Sequence, residues 1–212
     1  VRGEDFGLTL DLQAMVPALL NGERGYSQKG PASRSASHYY SLPHLRVSGS
    51  VTRGPKAAQP VTGEAWLDHE WSSEYLDSQA VGWDWTGLNL DDGSAVMAFR
   101  VRGRDGGIRW AGGTVRDAAG RVFIAKPDEV GFKPLRYWRS ARTGIEFPVQ
   151  WSVRVGDRRW QLAPLMDDQE NDTRASTGAI YWEGAVSASQ DAGAAGRGYL
   201  ELTGYGAPLM LR

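Results

Sequence analysis

Hydrophobic and polar residues alternate with a period of two along most of the chain, a pattern that indicates half-buried β-strands. Between residues 6 and 12, for example, every even position is Phe or Leu and every odd position is Gly, Thr or Asp. Similar segments are predicted as strands over residues 39–42, 45–52, 61–71, 82–90, 95–102, 108–116, 121–124, 147–155, 159–165, 179–186 and 198–203. Strands of this length and spacing are typical of an antiparallel all-β sandwich or barrel.

Turn residues separate these segments and set the expected loops. Asp91-Asp92-Gly93 and Gly156-Asp157 are strong hairpin signals. Residues 15–37, 126–144, 167–178 and 187–197 show little alternation and are predicted as loops, with a short helical turn over 15–20.

The densest group of ionisable and aromatic residues is Trp66-Leu67-Asp68-His69-Glu70-Trp71, followed by Gly82-Trp83-Asp84-Trp85. These two stretches hold four of the nine tryptophans. Apolar walls with a few polar groups are what a ligand pocket requires. The alternative is a Trp-rich strand that packs in the core, with its acids in solvent.

Strand geometry divides this group between two faces. Asp68 and Glu70 point to one face and His69 to the other, so these three residues do not form a contiguous triad. If His69 faces a barrel lumen, Trp71 and Leu67 face it too. His69 is the natural residue for proton transfer near neutral pH, although an interior histidine bonded to a carbonyl fits the pattern equally well.

Further candidates lie on later strands. Trp83 and Trp85 share one face, which leaves Asp84 on the other. They line either an apolar ligand site or an ordinary core. Glu201 lies between two leucines, and it is either a pocket acid or an outward-facing acid in solvent.

Composition excludes several classes of function. The chain has 212 residues, a formal net charge of -1 and no cysteine, so it lacks the basic footprint of a nucleic-acid-binding protein and has no thiolate metal site. The three histidines lack zinc spacing. No apolar run is long enough for a transmembrane segment. We expect no metal and no cofactor. The chain begins with Val1 rather than Met, which we interpret as a mature or truncated product with no visible leader.

Five ordered motifs carry a resemblance to a known family. They are Tyr39-Tyr40-Ser41, residues 63–71, residues 82–85, Tyr181-Trp182-Glu183-Gly184 and residues 201–205. They resemble the lipocalin-like family of AttH and the carotenoid 1,2-hydratases. The resemblance implies an all-β fold of two consecutive lipocalin-like antiparallel β-barrels, the first only partly present. Residues 1–75 would form the end of the first barrel and residues 76–212 the second. The missing N-terminal part of the first barrel would then be a partner, in the same or a separate chain.

The resemblance also implies a chemistry. In carotenoid hydratases, proton transfer is ascribed to a His and a Trp of this motif, which His69 and Trp71 match here, and to a Tyr-x-Asp pair on a later strand. The corresponding strand here, residues 96–100, reads Val-Met-Ala-Phe-Arg and has neither residue. We therefore expect no hydration of acyclic carotenoids.

The predicted function is binding of a hydrophobic small molecule, with hydratase or lyase chemistry on an isoprenoid-like substrate. The alternatives are a non-catalytic carrier and a hydrolase. The expected location is the bacterial periplasm or outside the cell. The predicted catalytic residues are His69, Asp68, Glu70 and Trp71. The predicted substrate-binding residues are Tyr40, Trp83, Asp84, Trp85, Trp182 and Glu201.

Overall fold

A computed structural model describes residues 1–74, 76–191 and 193–209. The described residues form two antiparallel sheets, one of five strands and one of ten. The helical structure among them is one short 3-10 turn, η1 (Pro127–Glu129). No helix in these ranges is long and apolar enough to cross a membrane.

The five-stranded sheet is built on one long strand. Its members are β1 (Phe6–Ala14), β2 (Leu19–Leu20), β3 (Tyr26–Gln28), β4 (Ala36–Arg53) and β5 (Gln59–Glu74). The strand β4 is 18 residues long and pairs with β5 along one edge, over residues 36–51. Along the other edge, β3, β2 and β1 pair with β4 one after another. Residues on β4 and β5 that point to the same face therefore hold fixed cross-strand positions.

The ten-stranded sheet follows along the chain. Its strands are β6 (Ala80–Leu90), β7 (Ala95–Gly103), β8 (Ile108–Arg116), β9 (Val122–Ala125), β10 (Val130–Arg139), β11 (Glu146–Val155), β12 (Arg158–Pro164), β13 (Glu170–Asp172), β14 (Ile180–Gln190) and β15 (Gly193–Leu202). Their order is β10-β11-β12-β14-β15-β6-β7-β8-β9, with β13 beside β14. The sheet curls, and its concave side is packed with fully buried side chains that include Trp151, Trp160, Trp182 and Phe147.

The strand β7 joins the two hydrophobic clusters of the molecule. Val96 and Ala98 point into the core of the curled sheet. Met97, Phe99 and Val101 point the other way and pack with Tyr39 of the five-stranded sheet. Both faces of β7 are therefore buried, and the second face lies where the two sheets meet.

Four predicted loops contain strands in the structure. Residues 126–144 include β10, whose Pro134 lies beside a register shift on a strand at the end of the sheet order, a place where proline is tolerated. Residues 187–197 belong largely to the β14–β15 hairpin. There, Gly198 lies so close to β6 that a Cβ atom would sit 1.9 Å from the Gly87 carbonyl oxygen. Residues 15–37 contain β2 and β3 instead of a helical turn, and residues 167–178 contain β13.

The predicted all-β, lipocalin-like antiparallel fold is confirmed. The change from one sheet to the other falls between β5 and β6, next to the predicted boundary at residue 75. The division into a partial first barrel and a complete second barrel stays a prediction. Its boundary residue, Tyr75, and its last three residues, 210–212, lie outside the described ranges.

Candidate functional site

A cleft of about 580 Å³ lies between the two sheets. This volume is typical of a small-molecule site. Its walls come from both sheets and are lined by Lys29, Tyr39, Glu64, Ala65, Trp66, Asp68, Glu70, Leu76, Trp83, Trp85, Phe99, Val101, Glu183, Tyr199 and Glu201. The lining combines large apolar rings with carboxyl groups, as the sequence analysis expected of a pocket.

Alternation along β5 decides which part of the central motif reaches the cleft. Trp66, Asp68 and Glu70 line it. His69 and Trp71 point to the opposite face of the sheet, as the period of two requires. His69, Trp71 and Leu67 therefore do not line the cleft, and Asp68 and Glu70 line it instead.

The opposite face of the sheet carries a ladder of stacked rings. His69 stacks on Tyr40 at 5.3 Å between ring centroids, Trp71 meets His69 edge-on at 5.1 Å, and His38 stacks on Trp71 at 5.4 Å. Trp71 is about half exposed there. Three predicted site residues, His69, Trp71 and Tyr40, therefore lie together, but on the wrong side of the sheet for the cleft.

On β6 the same alternation separates the tryptophans from Asp84. Trp83 and Trp85 line the cleft. Asp84 is fully buried on the other face, where the Arg100 Nε atom lies 2.6 Å and the Arg102 Nε atom 3.4 Å from its carboxylate. The Tyr205 hydroxyl donates to the same carboxylate at 2.7 Å. Asp84 therefore anchors a buried ion-pair network and does not reach the cleft.

Trp182 also lies away from the cleft. Its ring is fully buried in the core of the curled sheet, and its Nε1–H donates to the Asp167 carbonyl at 2.7 Å. Trp182, which was predicted to bind substrate, therefore packs the core of the curled sheet and does not line the cleft.

Asp68 accepts hydrogen bonds from three side chains. Ser41 and Trp66 donate to its Oδ1 atom, Trp66 at 2.8 Å, and Tyr39 donates as well. Desolvation raises the pKa of Asp68 above its usual range, and these donors oppose that shift. Since the residue as a whole stays exposed to solvent, water screens part of the effect. The Asp68 carboxylate is thus held in place by these donors, at the solvent-accessible side of the cleft, where it can accept a proton.

Glu70 forms an ion pair with Lys29. The Lys29 Nζ atom lies 2.8 Å from the carboxylate, and only 3% of the lysine side chain is exposed. The ammonium also sits 3.9 Å from the centroid of the Phe99 ring and 4.7 Å from that of Tyr39. Burial lowers the pKa of Lys29, while the charge of Glu70 opposes this shift. The ammonium is enclosed by this carboxylate and these two rings.

Glu201 on β15 and Glu183 on β14 are paired cross-strand neighbours, and their side chains lie side by side on the other wall of the cleft. The Trp83 Nε1–H donates to Glu201 at 3.0 Å. Desolvation, opposed by this bond and assisted by the charge of Glu183, raises the pKa of Glu201 to about 7. Burial also raises the pKa of Glu183. Glu201 can therefore exist as a carboxylic acid or a carboxylate near neutral pH, which suits proton transfer.

Two indole rings form a corner of the cleft. Trp66 and Trp85 meet edge-to-face with 6.4 Å between ring centroids. Both lie over Gly87, where a Cβ atom would come within 2.7 Å of the Trp85 ring and 2.8 Å of the Trp66 ring. Only glycine leaves room for this arrangement.

Of the ten predicted site residues, the structure brings together Asp68, Glu70, Trp83, Trp85 and Glu201 in the cleft. The cleft has further lining residues that were not predicted from the sequence, chiefly Lys29, Tyr39, Trp66, Phe99 and Glu183. Trp66 could have been found, because it shares the face of Asp68 and Glu70. Lys29 carried no signal, because it lies in a stretch without periodicity and reaches the cleft through the tertiary fold.

Two further observations bear on chemistry. Among the described residues, no group of three or more histidine, aspartate or glutamate side chains could hold a metal ion. On the strand where hydratases carry Tyr-x-Asp, Ala98 is buried in the core and Arg100 is paired with Asp84. The positions that lack the hydratase acid thus also point away from this cleft.

Comparisons with known proteins agree with the fold. The AttH-like family model matches residues 1–205. A putative AttH from Nitrosomonas europaea has a similar structure, with a TM-score of 0.94 and 56% sequence identity over 97% of this chain and 63% of that one. Kievitone hydratase from Nectria haematococca gives a TM-score of 0.76 at 19% identity, over 98% of this chain and 64% of that one.

A more distant structure, CghA with Sch210972, has a TM-score of 0.56 at 9% identity, over 100% of this chain and 64% of that one. A search of curated proteins found no match. This chain thus spans less than two thirds of the length of each of these three relatives. The family model covers nearly the whole chain, in agreement with the motifs noted in the sequence, and the protein therefore belongs to the AttH-like family.

Proposed function

We propose that the protein is a hydratase-type enzyme that adds water to a carbon–carbon double bond of an apolar small molecule bound between the two sheets. The observation that carries this proposal is the cleft itself, in which Asp68 and Glu201 approach from opposite sheets among indole rings. The resemblance to a structure named as a hydratase supports the same class of reaction.

The proposed reaction assigns different roles to the two acids. Protonated Glu201 donates its proton to one alkene carbon, which leaves a carbocation on the neighbouring carbon. Water attacks that carbon, and its surplus proton passes to the carboxylate of Asp68. The products are an alcohol and an enzyme whose proton returns from Asp68 to Glu201 through solvent, so one water is consumed and no proton is lost.

The aromatic lining would stabilise the intermediate. Trp83 and Trp85, with Trp66, can place ring faces beside the positive charge, a contact worth about 2 kcal/mol when desolvated. In this proposal Trp66 takes the place given to Trp71 by the sequence analysis, because Trp71 lies on the other face of the sheet. His69 has no part in the proton transfer for the same reason.

A carrier without chemistry is the second candidate, favoured by the six aromatic side chains among the fifteen residues that line the cleft. The hydrolase alternative gains no support. Ser37 and Ser41, whose hydroxyls lie beside the cleft acids, donate to Glu70 and Asp68, so neither is paired with a histidine base there.

The test uses oxygen-18 water and a panel of apolar alkenes that includes kievitone. An enzyme will release an alcohol that carries the label, and Glu201→Gln will lose most of this product while still binding the compound. Glu146→Gln, which removes an exposed carboxylate outside the cleft, is the matched control. Binding without labelled product from any compound would favour the carrier.

A further inference from the structure

We infer that the cleft binds an organic cation with an apolar body, such as an alkyl quaternary ammonium compound, in preference to neutral or anionic compounds of the same shape. This inference rests on the proposed function, because it names the class of ligand for the same cleft.

Most of the ionisable groups that line the cleft are acids, which become negative when they lose their protons. Five of the lining residues carry carboxyl groups and one carries an ammonium. They come from three strands: Glu64, Asp68 and Glu70 from β5, Glu183 from β14 and Glu201 from β15. An excess of acids in a partly enclosed space concentrates a negative potential, which attracts cations and repels anions.

The ammonium of Lys29 does not cancel this field at the ligand. It is almost completely buried and lies 2.8 Å from the Glu70 carboxylate. The Phe99 and Tyr39 rings cover it as well. Lys29 therefore neutralises Glu70 locally. The other four carboxyl groups, those of Glu64, Asp68, Glu183 and Glu201, are left to act on a ligand when they are ionised.

The indole rings favour a cation for an independent reason. Their N–H groups already have protein acceptors: Trp66 donates to Asp68, Trp83 to Glu201 and Trp85 to the Tyr39 hydroxyl. All three rings are half-buried, and what they present to a ligand is ring surface. Aromatic faces beside carboxylates form the kind of site that recognises quaternary ammonium groups.

The same features connect the ligand to the reaction. Hydration through a carbocation places a positive charge where a bound ammonium compound would place it permanently. A quaternary ammonium group of the substrate's shape therefore resembles the intermediate, and such analogues bind more tightly than substrates.

The test measures binding of three matched probes to the intact chain by tryptophan fluorescence and calorimetry. The probes are three eight-carbon alcohols that differ in the group on the carbon farthest from the hydroxyl. That group is trimethylammonium in the first, tert-butyl in the second and a carboxylate in the third. The first two differ in charge and hardly in shape. We expect the ammonium probe to bind at least about tenfold more tightly than the tert-butyl probe, and the carboxylate probe to bind most weakly.

Proton release gives a second readout. The groups that act on Glu201 are the Trp83 N–H and the charges of Glu183, Asp68 and Glu70. Lys29 lies behind Glu70, and Tyr181 is close enough for the charge of Glu201 to raise the pKa of its hydroxyl. A bound cation favours the ionised form of Glu201, whose pKa is about 7. The affinity of the protein for the ammonium probe should therefore rise as the pH increases from about 6 to about 8, and binding of this probe should release protons to the buffer. The tert-butyl probe should release none.

Variants show whether binding occurs at this cleft. Trp85→Leu should remove most of the preference for the cation, and Trp71→Leu, which alters the opposite face of the sheet, should preserve it. Glu201→Gln should abolish the proton release. Circular dichroism and thermal melting establish that each variant is folded, and the comparison of probes on the unmodified protein stands without them.

Equal affinity for the ammonium and tert-butyl probes, tighter binding of the carboxylate, or no binding of any probe would overturn the inference. None of these results decides whether a neutral alkene is hydrated, which the labelled-water assay measures directly. Conversely, selective binding of the ammonium probe with no hydrated product would refute the proposed function and leave the inference standing.

Discussion

The Trp83 indole donates a hydrogen bond to the Glu201 carboxylate at 3.0 Å, although the two residues are 118 positions apart in the chain. The bond joins β6 and β15, which are neighbours in the ten-stranded sheet. It holds a desolvated carboxyl group at the wall of the cleft and supplies one donor for its ionised form. Burial raises the pKa of Glu201 to about 7, and this bond limits the rise while it fixes the position of the carboxyl group. The raised pKa makes Glu201 the best candidate for proton transfer.

The titration of Glu201 tests this environment directly. A carboxyl-carbon NMR titration should show the resonance of Glu201 changing around pH 7, the value set by burial. Trp83→Phe keeps an aromatic ring but removes the donor to the carboxylate, so it should raise the pKa further. Glu146, an exposed residue, serves as the internal reference. A midpoint for Glu201 in the ordinary range of exposed glutamates would show that the cleft does not desolvate it.

Stability should depend on pH through the same group. The pKa of Glu201 is raised from 4.5 to about 7 in the folded protein, so the folded state binds more protons than the unfolded state between these values. Its contribution is fully present below about pH 4.5 and is lost as the pH rises through about 7. Urea unfolding at both ends of this range should show that Glu201→Gln gains stability relative to the unmodified protein as the pH rises, by at most about 3 kcal/mol.

Glu146→Gln, which removes a carboxylate of the same type outside the cleft, should show no such gain. A parallel pH dependence for the unmodified protein and Glu201→Gln would contradict a raised pKa.

Much of the fold could be predicted from alternation and turn residues, because each strand buries one face and the pattern records it. The strand β10 was missed because Pro134 within it and Pro127 just before it are typical of a loop. Its place at the end of the sheet order depends on the tertiary fold. For the site, alternation separated Asp68 from His69 and Trp83 from Asp84 correctly. It could not say which face meets the cleft, since that depends on how the two sheets pack.

Asp84 tests whether the residues on the far face of β6 contribute to stability and leave ligand binding unaffected. Its carboxylate is fully buried between the partly buried side chains of Arg100 and Arg102, so Asp84→Asn leaves two partly buried guanidinium groups without this counter-charge. We expect a loss of about 3 kcal/mol or more in the free energy of unfolding. Ligand binding by the folded variant should change little, because Asp84 points away from the cleft. Chemical denaturation and probe titration measure the two effects, and a large loss of affinity in a fully folded variant would place Asp84 in the site.

The Lys29–Glu70 pair should be strongly coupled. Lys29→Met removes the buried ammonium that lies 2.8 Å from the Glu70 carboxylate and should cost about 3 kcal/mol. Adding Glu70→Gln to that variant removes the negative charge that has lost its ammonium counter-charge, so the double variant should recover part of the loss. A double-mutant cycle of unfolding free energies measures this coupling. Arg34 and Glu74, an exposed pair with a distance of 2.9 Å, should give a coupling below about 1 kcal/mol. Equal couplings for the two pairs would contradict the buried geometry.

The most direct test of the account compares Glu201→Gln with His69→Gln in the oxygen-18 hydration assay, on whichever alkene of the panel the unmodified protein converts. The two residues are the rival proton donors, one in the cleft and one on the opposite face of the sheet. We predict that Glu201→Gln lowers the rate of labelled alcohol formation by about 10²–10⁴-fold, and that His69→Gln changes it by less than about twofold. A large loss with His69→Gln and a small one with Glu201→Gln would contradict the assignment of the chemistry to the cleft between the sheets.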